Sequence, residues 1–207
     1  MKQKLTYLAL GDSYTIGELL PASENFPNQV CGLLNRQSVL IEKPLIIAKT
    51  GWTTDELMQG IIEADETEPL SKSYDFVSLL IGVNNQYRGH SPEQYLTDFE
   101  KLLKDAVKFA GNRKDNVIVL SIPDWGVTPF ACERDQKQIT KEIDVFNHIN
   151  RSITAKMGIH YIYITDWTRE AATDFSLLTS DGLHPSGKEY KRWAEKIADY
   201  FLKQINI

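Results

Sequence analysis

Cysteine and histidine are scarce in this sequence, which carries two of the first and four of the second. Cys31 and Cys132 stand far apart, with neither a CxxC pair nor the even, closely spaced set of a disulfide scaffold. Both are expected to be reduced and packed. His90, His148 and His160 show no metal-ligand spacing, so no metal site is expected. No apolar run approaches the roughly 18–20 residues of a membrane helix, and no membrane insertion is expected. Basic residues are not in excess: 23 Lys and Arg face 28 Asp and Glu, for a formal charge of −5. The two signs are interleaved, which excludes the basic footprint of a nucleic-acid binder and points to a small-molecule partner. There is no G-x-G-x-x-G, no P-loop and no G-x-S-x-G elbow, so a dinucleotide site, a phosphate cradle and the α/β-hydrolase nucleophile turn are all disfavoured. The stretch Leu5–Leu10 after Met1-Lys2-Gln3-Lys4 is too short for a signal-peptide core and runs into Gly11-Asp12-Ser13; the chain reads as cytoplasmic.

What is present is ordinary globular composition, 42% hydrophobic and 25% charged over 207 residues. With no linker, repeat or low-complexity tract, residues 1–207 read as a single domain. Apolar runs at Leu5–Leu10, Val39–Ala48 (its Leu45–Ala48 end above all), Phe76–Ile81, Val117–Ile122 and Ile159–Ile164 read as strands covered on both faces. Amphipathic helices alternate with them, at 25–35, at 54–64 and in three longer stretches. The first of these three starts at a Ser91/Gln94 capping box with Pro92 behind it and stops at Gly111. The second carries Ile139, Ile143, Phe146, Ile149, Ile153 and Met157 on one stripe before Gly158. The last opens at a Ser186/Glu189 capping box and buries Tyr190, Trp193, Ala194, Ile197, Ala198, Phe201 and Ile205. Thr53 with Glu56 opens the helix at 54. Five strands alternating with helices imply an α/β fold, a five-stranded parallel sheet in a three-layer α/β/α sandwich with right-handed crossovers.

Ligands of such sheets bind beyond the carboxyl ends of the strands, so chemistry is sought in segments 11–18, 49–54, 82–90, 123–135 and 165–185. Ser13 sits at the first strand's end, placed to act as a nucleophile or merely to cap a turn. Asp181 and His184 are three residues apart in a turn, a spacing that sets a carboxylate against one imidazole nitrogen and leaves the other free as a base. Gly51 offers a closely approachable backbone N–H, and Asn84 a side-chain amide able to donate to an oxyanion. Each is individually better explained as turn chemistry. Nucleophile, oriented base and two donors all at strand ends form a joint pattern that turn chemistry does not explain.

That pattern resembles the SGNH hydrolases, the GDSL esterase/lipase family. The four blocks stand in family order: Gly11-Asp12-Ser13-Tyr14, Gly51, Gly82-Val83-Asn84-Asn85 and Asp181-Gly182-Leu183-His184. The resemblance implies a flavodoxin-like fold, a Ser13–His184–Asp181 triad, and an oxyanion hole from the Ser13 and Gly51 N–H groups and the Asn84 amide. It implies ester hydrolysis through an acyl-enzyme, with no cofactor. Tyr14 replaces a common leucine and Asn85 the usual aspartate, and the second change touches the hydrogen bonding that steadies the Asn84 loop. Trp52, Tyr87, Arg88, Trp125 and Phe130 are candidate substrate contacts. The aromatic rings either wall a short acyl slot, stack on a sugar, or pack the loops. Arg88 either meets an anionic group or is a solvated surface charge. With no amphipathic lid in the sequence, short acyl esters of small soluble alcohols or carbohydrates are expected. Lysophospholipase or thioesterase activity and non-catalytic ligand binding stand as the alternatives.

Overall fold

The strands Tyr7–Asp12 (β1), Leu45–Lys49 (β2), Phe76–Leu80 (β3), Val117–Leu120 (β4) and His160–Ile162 (β5) form one parallel sheet in the order β2-β1-β3-β4-β5. This is the flavodoxin-like doubly wound order. The computed structural model describes residues 4–205, so Met1, Lys2 and Gln3 of the charged start, and residues 206–207 of the expected domain, lie outside the described residues. β1, β3 and β4 are buried along their whole length, as their unbroken apolar runs require, whereas the edge strands β2 and β5 are each fully buried at one residue only, Ile47 and Ile162. In-register neighbours run Leu8 beside Leu45 and Val77, and Leu120 beside Ile162.

Among the described residues eight α-helices connect and cover these strands: Ser13–Ile16 (α1), Phe26–Arg36 (α2), Thr54–Thr67 (α3), Val83–Tyr87 (α4), Pro92–Phe109 (α5), Gln136–Met157 (α6), Thr165–Arg169 (α7) and Gly187–Ile205 (α8). α2 packs on α8 over one face, and α3, α5 and α6 pack side by side over the other. The Phe201 ring of α8 stacks on Phe76 of β3 at 3.9 Å, which seals the first interface. The expected helices are all present. The short ones, α1, α4 and α7, lie in the strand-end loops and are too brief to show a periodic stripe.

Four expectations need correction. β3, β4 and β5 end earlier than their apolar runs, because side chains take over the backbone; after β3 the Tyr95 hydroxyl donates to the Ile81 carbonyl at 3.0 Å. The Ile122 N–H donates to Asn147 Oδ1 at 2.7 Å, and the Ile164 and Thr165 N–H groups to Ser121 Oγ at 2.8 and 3.1 Å. The Ser186/Glu189 box does not form. The Ser186 N–H is already bonded to the Leu177 carbonyl at 2.8 Å, and buried Glu189 accepts from Trp193 Nε1 at 2.8 Å instead. Ile205, at the end of the expected stripe, is exposed. Of the two free cysteines, Cys31 is buried on α2 but Cys132 is exposed, since the turn after Pro129–Ala131 carries it out of the core.

Candidate active site

β1 runs directly into the first turn of α1, which leaves Ser13 at the carboxyl edge of the sheet. Asp12 accepts the Tyr14 N–H at 3.0 Å and so caps this turn, fixing the backbone on either side of the serine. Ser13 Oγ stands 3.0 Å from Nε2 of His184, and His184 Nδ1 stands 2.6 Å from Asp181 Oδ2. The other Asp181 oxygen accepts from Thr179 Oγ1 at 2.7 Å and from the Leu183 and His184 N–H groups at 2.9 and 3.0 Å. Partial burial opposes its ionisation, but these donors and the imidazole outweigh burial and hold the carboxyl down at about 2. A charged carboxylate therefore faces Nδ1 and orients the ring, leaving Nε2 toward the serine. Tyr14 packs against the imidazole, with ring centroids 5.0 Å apart.

Gly51 follows β2 with φ +83°, a left-handed backbone that a side chain would strain. Asn84 lies in the first turn of α4. Its Nδ2 donates to Trp52 O at 3.0 Å and to Asp12 Oδ2 at 3.2 Å, tying the third strand's loop to the first and second. Burial pushes the Asp12 carboxyl up to about 7, although the Tyr14 N–H and the Asn84 amide draw it back. Asn85, at the position of the unusual residue, accepts the Thr54 N–H at 3.1 Å and donates to Thr54 Oγ1 at 2.8 Å. The amide both donates and accepts here, so the asparagine anchors the loop to the start of α3.

Ser13, His184, Gly51 and Asn84 open together onto a cleft of about 200 Å³, whose walls include Tyr87, Trp125, Phe130, Val83 and Leu183. A larger groove of about 680 Å³ lies on the outer side of residues 126–129 and contains none of those four residues. Of the expected substrate contacts, Tyr87, Trp125 and Phe130 line the cleft; Trp52 and Arg88 do not. The Trp52 ring turns away onto α3, where a Cβ built on Gly60 would fall 2.0 Å from it. Arg88 instead donates from Nη2 to the Gly51 carbonyl at 2.6 Å and from Nη1 to Glu56 Oε1 at 3.1 Å. The Trp52 contact is checked directly by Gly60→Ala. Overpacking against the ring should destabilise the fold by about 1–3 kcal/mol, seen as a lower urea midpoint with an unchanged slope.

Several residues that support the cleft's lining side chains escaped the sequence reading. The Trp125 indole donates to Gln86 Oε1 at 2.7 Å, and Gln86 donates in turn to Glu142 Oε2 of α6 at 2.7 Å. Arg134 lies over the Tyr87 and Trp125 rings, 4.8 and 5.5 Å from their centroids, and donates to Tyr87 Oη at 3.0 Å. Nothing local marks Gln86, Arg134 or Glu142, which meet only through tertiary packing. Asp12 did carry a signal, standing next to the serine. Among the described residues no group of three or more His, Cys, Asp or Glu side chains is arranged to hold a metal ion, and no helix is long and apolar enough to cross a membrane.

Solved structures similar to this chain are esterases and acylhydrolases at low identity. The psychrotrophic esterase EstA of Pseudoalteromonas sp. shares 18% identity over 98% of this chain and 99% of its own, with a TM-score of 0.71. An acetylxylan esterase of Geobacillus stearothermophilus shares 17% over 97% and 96%, also at 0.71. The lipase/acylhydrolase of Enterococcus faecalis shares 19% over 94% of each chain, at 0.69. No curated protein matches the chain in sequence. Residues 9–192 match the GDSL-like lipase/acylhydrolase family, a span that contains all four sequence blocks and the strand-end loops just described, and the chain is an esterase-type hydrolase belonging to that family.

Proposed function

We propose that the protein is a serine esterase that removes short acyl groups, acetyl foremost, from small soluble alcohols or carbohydrates. The observation that carries the chemistry is the Ser13 Oγ–His184–Asp181 chain of hydrogen bonds at 3.0 and 2.6 Å, opening onto a cleft with two further donors. In this reading His184 Nε2 takes the proton of Ser13 as Oγ attacks the ester carbonyl, and Asp181 stabilises the imidazolium that results. The oxyanion is met by the Ser13 and Gly51 N–H groups and by Asn84 Nδ2, whose longer bond, to Asp12, is the one that yields to it. The alcohol leaves with the proton from His184. Water then gives its proton to the same nitrogen and attacks the acyl-serine, releasing the acid and restoring the serine.

Size supports the short acyl group. A volume of about 200 Å³ lies below the roughly 300–1,000 Å³ usual for drug-sized ligands. Trp125 cannot retreat without breaking its bond to Gln86, so one wall of the cleft is fixed. The Geobacillus stearothermophilus acetylxylan esterase, similar in fold, fits the same substrate class. The test is kcat/KM for p-nitrophenyl esters from acetyl to palmitoyl, followed by acetylated sugars. A maximum at acetyl or butyryl is expected; a continuous rise through octanoyl and beyond would overturn the short-acyl reading, since each buried methylene is worth about 0.8 kcal/mol only where a groove receives it.

A further inference from the structure

The backbone around Gly51 is held almost entirely by side chains. The Trp52 N–H bonds back to Lys49 O at 3.2 Å, and beyond that the loop has no strand partner. The Trp52 carbonyl is taken by Asn84, the Thr53 N–H by Glu56 Oε2 at 2.9 Å, and the Gly51 carbonyl by Arg88 Nη2 at 2.6 Å. Arg88 caps the carboxyl end of α4, its own N–H bonded to the Asn84 carbonyl at 3.0 Å. The same short helix thus presents the Asn84 amide from its first turn and the Arg88 guanidinium from its carboxyl cap. Glu56 completes the ring: one oxygen holds Thr53, and the other holds Arg88 Nη1 at 3.1 Å.

We infer that Arg88 is a positioning residue for the oxyanion hole, clamping the Gly51 carbonyl and, through the shared Cα, restraining the Gly51 N–H relative to Asn84; this rests on the esterase reading above. The two donors come from loops after different strands, and a charge-assisted bond from α4 to the Gly51 carbonyl restrains their separation through the Gly51 Cα, which joins that carbonyl to the donor N–H. Surface ion pairs such as Arg88–Glu56, with side chains 43% and 38% exposed, add little to stability. The value of this one lies in aiming the second arm of the guanidinium. A planar fork can serve Gly51 and Glu56 at once, which an ammonium cannot do with the same geometry. Because Arg88 does not line the cleft, its loss acts on the transition state through Gly51 and leaves ground-state binding alone.

The experiment compares wild type with Arg88→Met, Arg88→Lys, Glu56→Gln and Ser13→Ala on a p-nitrophenyl acetate assay. Binding of an alkyl boronic acid, which mimics the tetrahedral adduct, is measured beside it. Arg88→Met should lower kcat about 10- to 100-fold with KM within twofold, and weaken the boronic acid in parallel. Arg88→Lys should recover part of the loss, and Glu56→Gln should lose less than Arg88→Met. Arg88→Met with unchanged kcat overturns the inference, as does a raised KM at constant kcat, which would make Arg88 a substrate contact. Should Arg88→Met fail to fold, Arg88→Lys and Glu56→Gln decide it: wild-type kcat in both overturns the clamp. Ser13→Ala separates the two levels, because activity surviving that change removes the Ser13 acyl-enzyme mechanism on which the inference rests, whatever Arg88 does.

Discussion

Ser13→Ala should lower ester hydrolysis by about 10⁴-fold or more while leaving the urea midpoint near that of wild type. The side chain is buried, yet its hydroxyl makes one bond, to His184 Nε2, and that imidazole keeps its anchor on Asp181 when the hydroxyl is gone. The removed atom is small and polar, and the cleft beside it admits water to the exposed nitrogen, so no buried group is stranded. Labelling by a fluorophosphonate should fall from one equivalent to none in the same variant. Retention of near-wild-type turnover, or of stoichiometric labelling, would remove Ser13 as the nucleophile. The contrast with Asn84→Ala is informative. That change deletes one donor among three and should cost about 10²–10³-fold, and it also releases Asp12 and the Trp52 carbonyl from their shared partner.

The division between what the sequence reveals and what it conceals follows the range of the interactions. Asp181 and His184 meet across three residues of one turn, so their pairing is written in local spacing. Ser13, Gly51 and Asn84 are legible because a parallel sheet delivers every strand end to one edge, whatever the intervening helices do. The core helices are legible for the same kind of reason: the buried stripe of α8 is a periodicity, and it survives any detail of packing. Side-chain aim is another matter. Trp52 stands beside Gly51 in the sequence, yet Gly60, eight positions on, leaves a gap on α3 that the ring fills, and this decides its direction. Arg88 reads equally as a substrate contact or as a solvated charge until Gly51 and Glu56 are seen within its reach. The Ser186/Glu189 box fails because a local signal loses to two competitors: the Leu177 carbonyl takes the Ser186 N–H, and the Trp193 indole, one helical turn on, takes the Glu189 carboxylate. Strand lengths fail where Ser121 and Asn147 intercept the backbone, an interception invisible in a run of apolar letters.

His184→Ala should approach the Ser13→Ala defect, because no other base stands within reach of the serine hydroxyl, while Asp181→Asn should keep more activity and still fall about 10²–10⁴-fold. The hydrogen bonds of Asp181 dictate why the amide is not a neutral replacement. One carboxylate oxygen accepts from Thr179 Oγ1 and from two backbone N–H groups, so an asparagine must keep its oxygen on that side. Its NH₂ then faces His184 Nδ1, where the carboxylate oxygen stood at 2.6 Å. Facing a donor, Nδ1 must accept, and the ring proton moves to Nε2, toward Ser13 Oγ. The imidazole is retained in place but with the wrong nitrogen protonated for taking the serine proton. Imidazole ¹⁵N shifts should report that tautomer directly, with kcat falling and the fold intact. The carboxyl is held at about 2, so in the wild type it stays charged, and activity lost on acidification above about pH 3 does not arise from its protonation. Wild-type activity in Asp181→Asn would reduce the triad to a Ser13–His184 pair, and an unchanged Nε2-acceptor tautomer in that variant would refute the hydrogen-bond argument even if activity fell.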